Sequence, residues 1–113
     1  MASSNKLTFV NEALVASKTS DSSGLPAASS DFIAVMTVSV NDGATTVNGK
    51  IQHSPDNINW ADIATFGAVV NVTSFEKINV VAPIFGNLRA VVTLAGTPSA
   101  TVDVSMWYDS NRA

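Results

Sequence analysis

The chain has 113 residues, is 46% hydrophobic but only 13% charged, and carries a net charge of −3 with no cysteine. This length fits one domain, and the lack of cysteine excludes disulfides, thiolate metal ligands and a cysteine nucleophile. The six basic residues are scattered, which argues against nucleic-acid binding, and no apolar stretch approaches the ~20 residues that span a membrane. Because globular proteins usually carry about 25% charged residues, the low charge favours a homo-oligomer or another assembly whose neighbours cover part of the surface.

The N-terminal region combines a strand pattern near residues 7–15 with a serine-rich segment at 16–31. Six serines, a glycine and a proline give that segment the composition of a linker. We therefore divide the single domain, 1–113, into an N-terminal strand with a Ser-rich arm at 1–30 and a core at 31–113. The arm would let the first strand pair with the sheet edge of a neighbouring subunit; a passive surface loop is the alternative.

From residue 31 onward the dominant hydrophobic period is two, the spacing of strands that bury one side. Turn residues separate the periodic stretches, so strands are expected near 7–15, 32–41, 45–53, 58–66, 68–73, 75–81, 87–95 and 100–108. Six inward-facing side chains are predicted to share one core: Phe32, Met36, Val38, Val102, Val104 and Met106. The chain is therefore expected to form an all-β antiparallel β-sandwich of about 7–8 strands, with either jelly-roll-like or immunoglobulin-like connections.

The dipeptide Asn48-Gly49 lies inside the third predicted strand. It is a preferred sequence of type I′ hairpin turns, and such a turn would split the strand in two. Since Asp42-Gly43 already supplies a turn just before this strand, a β-bulge at Asn48-Gly49 is the preferred interpretation.

His53 is the only histidine and the first candidate for catalysis, since Ser54 and Asp56 follow it closely. A hydrolytic triad needs a serine within reach of the imidazole and an acid that orients it. Ser54 is adjacent in sequence, so its side chain is expected on the opposite strand face or in the turn. The sequence predicts a protein that is not an enzyme, with no catalytic residue and no cofactor.

The oxygen-rich segment 56–62 is a candidate for calcium binding. An EF-hand loop needs oxygen ligands at its first, third and fifth positions. Counted from Asp56, the third and fifth residues are Ile58 and Trp60, so the pattern fails. An Asx turn accounts for the segment better, and no metal site is predicted.

Three aromatic residues, Trp60, Trp107 and Tyr108, are candidates for contacts. Trp60 follows a capped turn and is expected to be a buried anchor, so that Trp60→Ala would cost about 3–5 kcal/mol. Trp107 falls on the polar face of its strand, opposite Met106 and Tyr108. An exposed aromatic there would mark a contact; protein contact, ordinary burial beneath other parts of the chain, and glycan stacking all fit the pattern.

Two runs of residues resemble small β-sandwich proteins of tailed bacteriophages. The first, at 51–63, contains the strand–turn–strand signature Ser-x-Asp-(Gly/Asn)-x-Asn-Trp as Ser54-Pro55-Asp56-Asn57-Ile58-Asn59-Trp60. The second, at 88–104, has a Leu-Arg strand, a Gly-Thr turn and a Thr/Val strand. Asn57 takes the place of the usual glycine and also tolerates left-handed backbone geometry.

This resemblance implies a virion structural protein, and most directly a capsid decoration (cement) protein. Its partners would be the major capsid protein or other virion proteins, and its location the virion, assembled in the host cytoplasm. A head–tail connector or tail component is the alternative within the same class. A glycan-binding β-sandwich module is the alternative from a different class. Neither nucleic acid nor a membrane is an expected partner.

Overall fold

A computed structural model of the chain describes residues 4–14, 16–24, 31–42, 46–69, 73–81, 86–95 and 99–109. These residues form nine strands and no helix: β1 (Ser4–Leu14), β2 (Lys18–Thr19), β3 (Ser23–Gly24), β4 (Asp31–Asp42), β5 (Thr46–Ser54), β6 (Ala61–Thr65), β7 (Ser74–Val81), β8 (Asn87–Ala95) and β9 (Ser99–Asp109). The strands make two antiparallel sheets, ordered β1-β9-β4-β7 and β2-β8-β5-β6, with β3 also on β8. The prediction of an antiparallel β-sandwich is confirmed.

The strand pairing is nested from the chain ends inward. The first strand pairs with the last, β2 and β3 pair with β8, β4 pairs with β7, and β5 pairs with β6. Two further pairings, β4 with β9 and β8 with β5, join these nested hairpins into the two sheets. A long hairpin rolled up in this way is a jelly roll, and this order decides between the two topologies that the sequence leaves open.

The core lies between the two sheets, where the alternating positions point inward. All six side chains predicted to share it are at most 2% exposed. The second sheet contributes Val47, Ile51, Leu88, Ala90 and Val92, which are fully buried as well. The period of two therefore identifies the buried face in both sheets.

Gly49 departs from its predicted role. Strand β5 runs unbroken through Asn48 and Gly49, which pair in regular register with Thr93 and Val92 of β8, so neither a turn nor a bulge lies there. A Cβ atom at position 49 would overlap the Met36 sulfur from the opposite sheet. A side chain at this position would have to displace the Met36 side chain, so glycine suits the close approach of the two sheets.

The edge of the second sheet is shorter than its sequence pattern indicates. Strand β6 covers only residues 61–65 of the expected 58–66, and its irregularity lies opposite Ile51 and Gln52. Of the expected strand at 68–73, Val69 forms an isolated bridge to Val47, while 70–72 lie outside the described residues. Apolar residues here enter the core from a connection rather than from a full strand.

The N-terminal strand belongs to the sheet of its own chain. β1 pairs with β9 along its whole length, and Val10 and Leu14 are buried in the core. Detaching the first strand would expose these apolar side chains, so this structure favours its place in its own sheet; a contact of residues 1–30 with a neighbouring subunit stays a prediction.

Serines hold the segment after β1 against the edge of β8. The Ser17 hydroxyl accepts a hydrogen bond from the Leu94 amide (2.9 Å), and the Ser20 hydroxyl accepts one from the Ala90 amide (2.9 Å). The Ser20 amide donates in turn to the Ala90 carbonyl (2.8 Å). Residues 16–24 are thus part of the fold rather than a free arm; residues 25–30 lie outside the described ranges.

Candidate functional site: the two outer sheet faces

The triad candidates Ser54 and Asp56 interact with each other in a turn. Ser54 is fully buried, and its hydroxyl donates to the Asp56 carboxylate (3.0 Å) while accepting the Asp56 amide (3.2 Å). His53 is half-buried in β5. Because the Ser54 hydroxyl hydrogen points to a carboxylate, this geometry favours a turn cap over an activated nucleophile.

Asp56 organises the turn at residues 54–60. Its carboxylate accepts hydrogen bonds from the amides of Ile58 (2.9 Å) and Asn59 (2.8 Å) and from the Asn59 side chain (2.8 Å). These donors, the Asn59 amide first, lower the pKa of Asp56 well below its ordinary value. Asn57 adopts a positive φ of 62°, as its predicted left-handed tolerance requires. The Asx-turn interpretation is confirmed.

The outer surface of the β2-β8-β5-β6 sheet, here the polar face, carries a chain of paired side chains. Its members project from β5, β6 and β8: Asn48, Lys50, Gln52, Asp62, Thr65, Arg89, Val91 and Thr93. The Arg89 Nε donates to the Gln52 side-chain oxygen Oε1 (2.8 Å), and the Gln52 side-chain nitrogen Nε2 donates to the Asp62 carboxylate (2.8 Å). Lys50 adds an ion pair to the same Asp62 oxygen at 3.6 Å. Lys50 directly and Arg89 through Gln52 thus share the single carboxylate of Asp62.

Trp60 lies over this polar face and not in the core. Its side chain is half-buried, and the Arg89 guanidinium lies 4.2 Å from the ring centroid, within cation–π range. The prediction of a buried anchor is wrong, because the capped turn directs the ring to the outside of the sheet. Sequence spacing gave no signal for this, since Arg89 is distant in the chain.

A shallow groove of about 280 Å³ lies beside this network. Its lining is more apolar than polar and combines apolar surface with amide, hydroxyl and ammonium groups: Asn48, Gly49, Lys50, Thr65, Phe66, Val91 and Thr93. Such a mixture can offer hydrogen bonds and a flat contact to a polar ligand.

The outer surface of the β1-β9-β4-β7 sheet, here the apolar face, is different. Its central side chains are Ile33, Val35, Thr37, Phe75, Lys77, Asp103, Ser105 and Trp107. Trp107 is 38% exposed and lies directly opposite Ile33, which is 40% exposed. Phe75 on β7 is 68% exposed. Large apolar side chains therefore face solvent on three neighbouring strands.

Charges on the apolar face are few, and two of them are paired with each other. Lys6 on β1 pairs with Asp103 (3.3 Å), and its ammonium lies 5.6 Å from the Trp107 ring centroid. Between Trp107 and Asp103 on β9 lies Ser105, which is only 1% exposed. Lys77 lies at the β7 edge. Sequence analysis identified Trp107 as a contact candidate but missed Ile33 and Phe75. The apolar odd positions of β4 were the available signal for Ile33.

The described residues offer neither of two other kinds of site, a metal centre and a membrane-spanning helix. No group of three or more His, Asp or Glu side chains suited to a metal ion occurs among them. Within the same ranges there is no helix long and apolar enough to cross a bilayer. The side chain of Tyr108 lies outside what the structure describes.

No protein-family model matches this chain, and a search of curated proteins found no match.

Proposed function

We propose that this chain is a non-enzymatic virion structural protein, a capsid decoration (cement) protein of a tailed bacteriophage that acts through protein–protein contacts. The observation that carries the proposal is the apolar face, on which Trp107 and Ile33 are exposed side by side and Phe75 is exposed two rows further along the same face. Contiguous exposed apolar side chains on a small protein are typical of contact surfaces. The resemblance at 51–63 and 88–104 supplies the phage assignment.

The composition supports a contact driven by apolar burial rather than by charge. Only 13% of residues are charged, and the polar face uses its charges in internal pairs. Aromatic enrichment and few charges are features of the buried centre of protein interfaces. A capsid lattice, which presents many copies of one surface, suits a protein that binds by shape.

The jelly-roll fold supports a virion structural role only by analogy with other proteins of that fold. Jelly rolls occur in viral capsid domains and in lectins, and a shared fold does not fix a function. The analogy therefore adds weight both to the virion proposal and to its glycan-binding alternative.

The proposal is tested on purified particles from the source of this sequence. Particles are banded on a density gradient and their proteins quantified by mass spectrometry. A decoration protein is expected in many copies, in fixed proportion to the major capsid protein; a connector or tail component would be present in far fewer. Absence of the chain from intact particles, with the chain present in the unbound fraction, would show the proposal to be wrong.

A glycan-binding role is the second candidate, and the groove on the polar face is the observation that favours it. Titration calorimetry with host cell-surface oligosaccharides would detect it, with Thr65→Ala and Thr93→Ala as groove variants and Thr37→Ala as the control on the other sheet. Binding that the groove variants weaken and the control leaves unchanged would support this role. No binding to any host glycan would remove it.

A further inference from the structure

We infer that the apolar face binds a second copy of this chain, as a two-fold dimer in which the Trp107 ring packs on Ile33 of the other copy. The inference deepens the proposed function and rests on it in one respect: it takes this face as a protein contact and assigns it to a second copy, so that the contact of the dimer with the capsid would use surface outside this face.

The arrangement of residues on the face makes it its own complement. The strand register sets three rows across β1, β9, β4 and β7: Lys6, Trp107, Ile33, Asn79; then Thr8, Ser105, Val35, Lys77; then Asn11, Asp103, Thr37, Phe75. A two-fold axis in the interface plane, parallel to the strands and between β9 and β4, keeps each row and reverses its order. Trp107 then faces Ile33 of the second copy, and Ile33 faces the second Trp107.

The same symmetry keeps like charges apart. Lys6 would face Asn79, Lys77 would face Thr8, and Asp103 would face Thr37. An axis in the same plane but perpendicular to the strands would instead place the two copies of Lys77 opposite each other. Like charges in direct opposition disfavour a contact, so the parallel axis is the one that the charges allow.

The centre of the face is flat enough for close approach. Ser105 and Val35 occupy the middle row next to the axis, and neither carries a charge. Ser105 is 1% exposed and Val35 is half-buried. The long side chain of Lys6 crosses the middle row on the β1 side, where it reaches Asp103, and leaves the strip next to the axis low. Two such sheets can pack face to face in the aligned manner of sandwich sheets.

The available area indicates a weak dimer. Four strands about 4.8 Å apart and about eight residues long, at about 3.4 Å per residue, give roughly 500 Å² per copy. Stable interfaces bury about 800 Å² per partner, and weak ones less than about 600 Å². The dissociation constant is therefore expected in the micromolar range, so that the dimer forms at high local concentration, as on a lattice.

The test is sedimentation equilibrium of the full chain over a range of concentrations. The wild type is expected to approach twice the 11.7 kDa of one chain as its concentration rises into the tens of micromolar. Ile33→Asp should raise the dissociation constant by roughly 30-fold or more, because the contact occurs twice per dimer. The matched control is Ile58→Asp: Ile58 is 78% exposed in the turn, away from this face, and its substitution should leave the dimer intact.

A mixing experiment tests the register itself. Trp107→Lys alone should also be monomeric, and circular dichroism confirms that each variant is folded. In a mixture of Ile33→Asp and Trp107→Lys, the introduced carboxylate faces the introduced ammonium, and the native Trp107 to Ile33 contact is kept on the other side. A heterodimer should therefore appear in the mixture.

Three results would overturn the inference. They are a wild type that stays monomeric at all concentrations, an Ile33→Asp variant that dimerises as the wild type does, and folded variants that do not associate on mixing. The wild-type measurement needs no substitution, so it decides the matter even where a variant fails to fold. A monomeric wild type that is abundant in purified particles would overturn the dimer and keep the proposed function; a dimer absent from particles would do the reverse.

Discussion

The two outer faces of the sandwich differ in whether their exposed side chains interact with one another or with solvent. On the polar face, Arg89, Gln52 and Asp62 form a chain of hydrogen bonds within the face. On the apolar face, Trp107 and Ile33 stand exposed as neighbours. A face that pairs its own side chains gains little from a protein partner, because binding would only replace contacts it already has. A face that leaves apolar area in water gains from being covered.

The largest expected effect separates the inside of the apolar-face sheet from its outside. Phe32→Ala removes a core ring that is 2% exposed and should cost about 3–5 kcal/mol of unfolding free energy. Phe75→Ala makes the same chemical change on the outside, at a ring that is 68% exposed, and should cost less than about 0.5 kcal/mol. Urea unfolding at a protein concentration below dimer formation measures both. Equal costs would mean that Phe75 is not a free surface residue.

The next effect concerns the polar network. Gln52→Ala removes the side chain that links Arg89 to Asp62, and should cost about 1–2 kcal/mol, since both lost hydrogen bonds involve charged groups that can partly turn to water. Thr37→Ala on the apolar face is the control, expected within about 0.5 kcal/mol of the wild type. Denaturant midpoints with unchanged slopes measure the difference. A neutral Gln52→Ala would show that the network contributes nothing to stability.

A smaller effect is expected at Trp60. Because the ring is half-buried over Arg89, Trp60→Ala should lower the unfolding free energy by about 1–2 kcal/mol. The loss of a core aromatic would lower it by about 3–5 kcal/mol. A double-mutant cycle with Arg89→Ala isolates the ring–guanidinium contact, whose coupling should be about 0.5–1 kcal/mol. A cost above about 3 kcal/mol with no coupling would restore Trp60 as a core residue.

The smallest effect is expected from the turn carboxylate. The pKa of Asp56 is lowered in the folded state by the hydrogen bonds it accepts, so its contribution to stability is present above the unfolded pKa of about 3.9 and is lost as the pH falls toward the folded pKa. Unfolding midpoints between about pH 5 and pH 2 should therefore fall less steeply in Asp56→Asn than in the wild type. The variant retains every other carboxylate, so the difference between the two curves reports Asp56 alone. Parallel curves would contradict this assignment.

Much of the fold was predictable because a strand with one buried side has apolar and polar residues in alternation along its sequence. The alternation at 32–40 and 100–108 located β4 and β9 and their inward residues, and Asp56-Asn57 located a turn whose side-chain chemistry is local. Prediction failed where residues distant in sequence decide the outcome. The local pattern predicts a bulge at Gly49, whereas the position is occupied by glycine next to the Met36 side chain of the opposite sheet.

The candidate surfaces were only partly predictable for the same reason. The position of Trp107 on the polar side of β9 was readable from alternation, so its exposure could be considered in advance. Its neighbour Ile33 could not be assigned to it, because strand order across a sheet is set by long-range pairing rather than by local pattern.

The sequence by itself determined that this chain forms a β-sandwich, which residues its strands bury, and that residues 54–60 form a capped turn, since period and turn chemistry act between near neighbours. Tertiary structure alone decided the jelly-roll order, the attachment of β1 to β9, and the placement of Trp60 over Arg89. It also decided that one outer face is self-paired and the other is left open. These features depend on contacts between residues far apart in the chain. Such contacts form only when the whole core packs, so no single segment shows them as a periodic pattern.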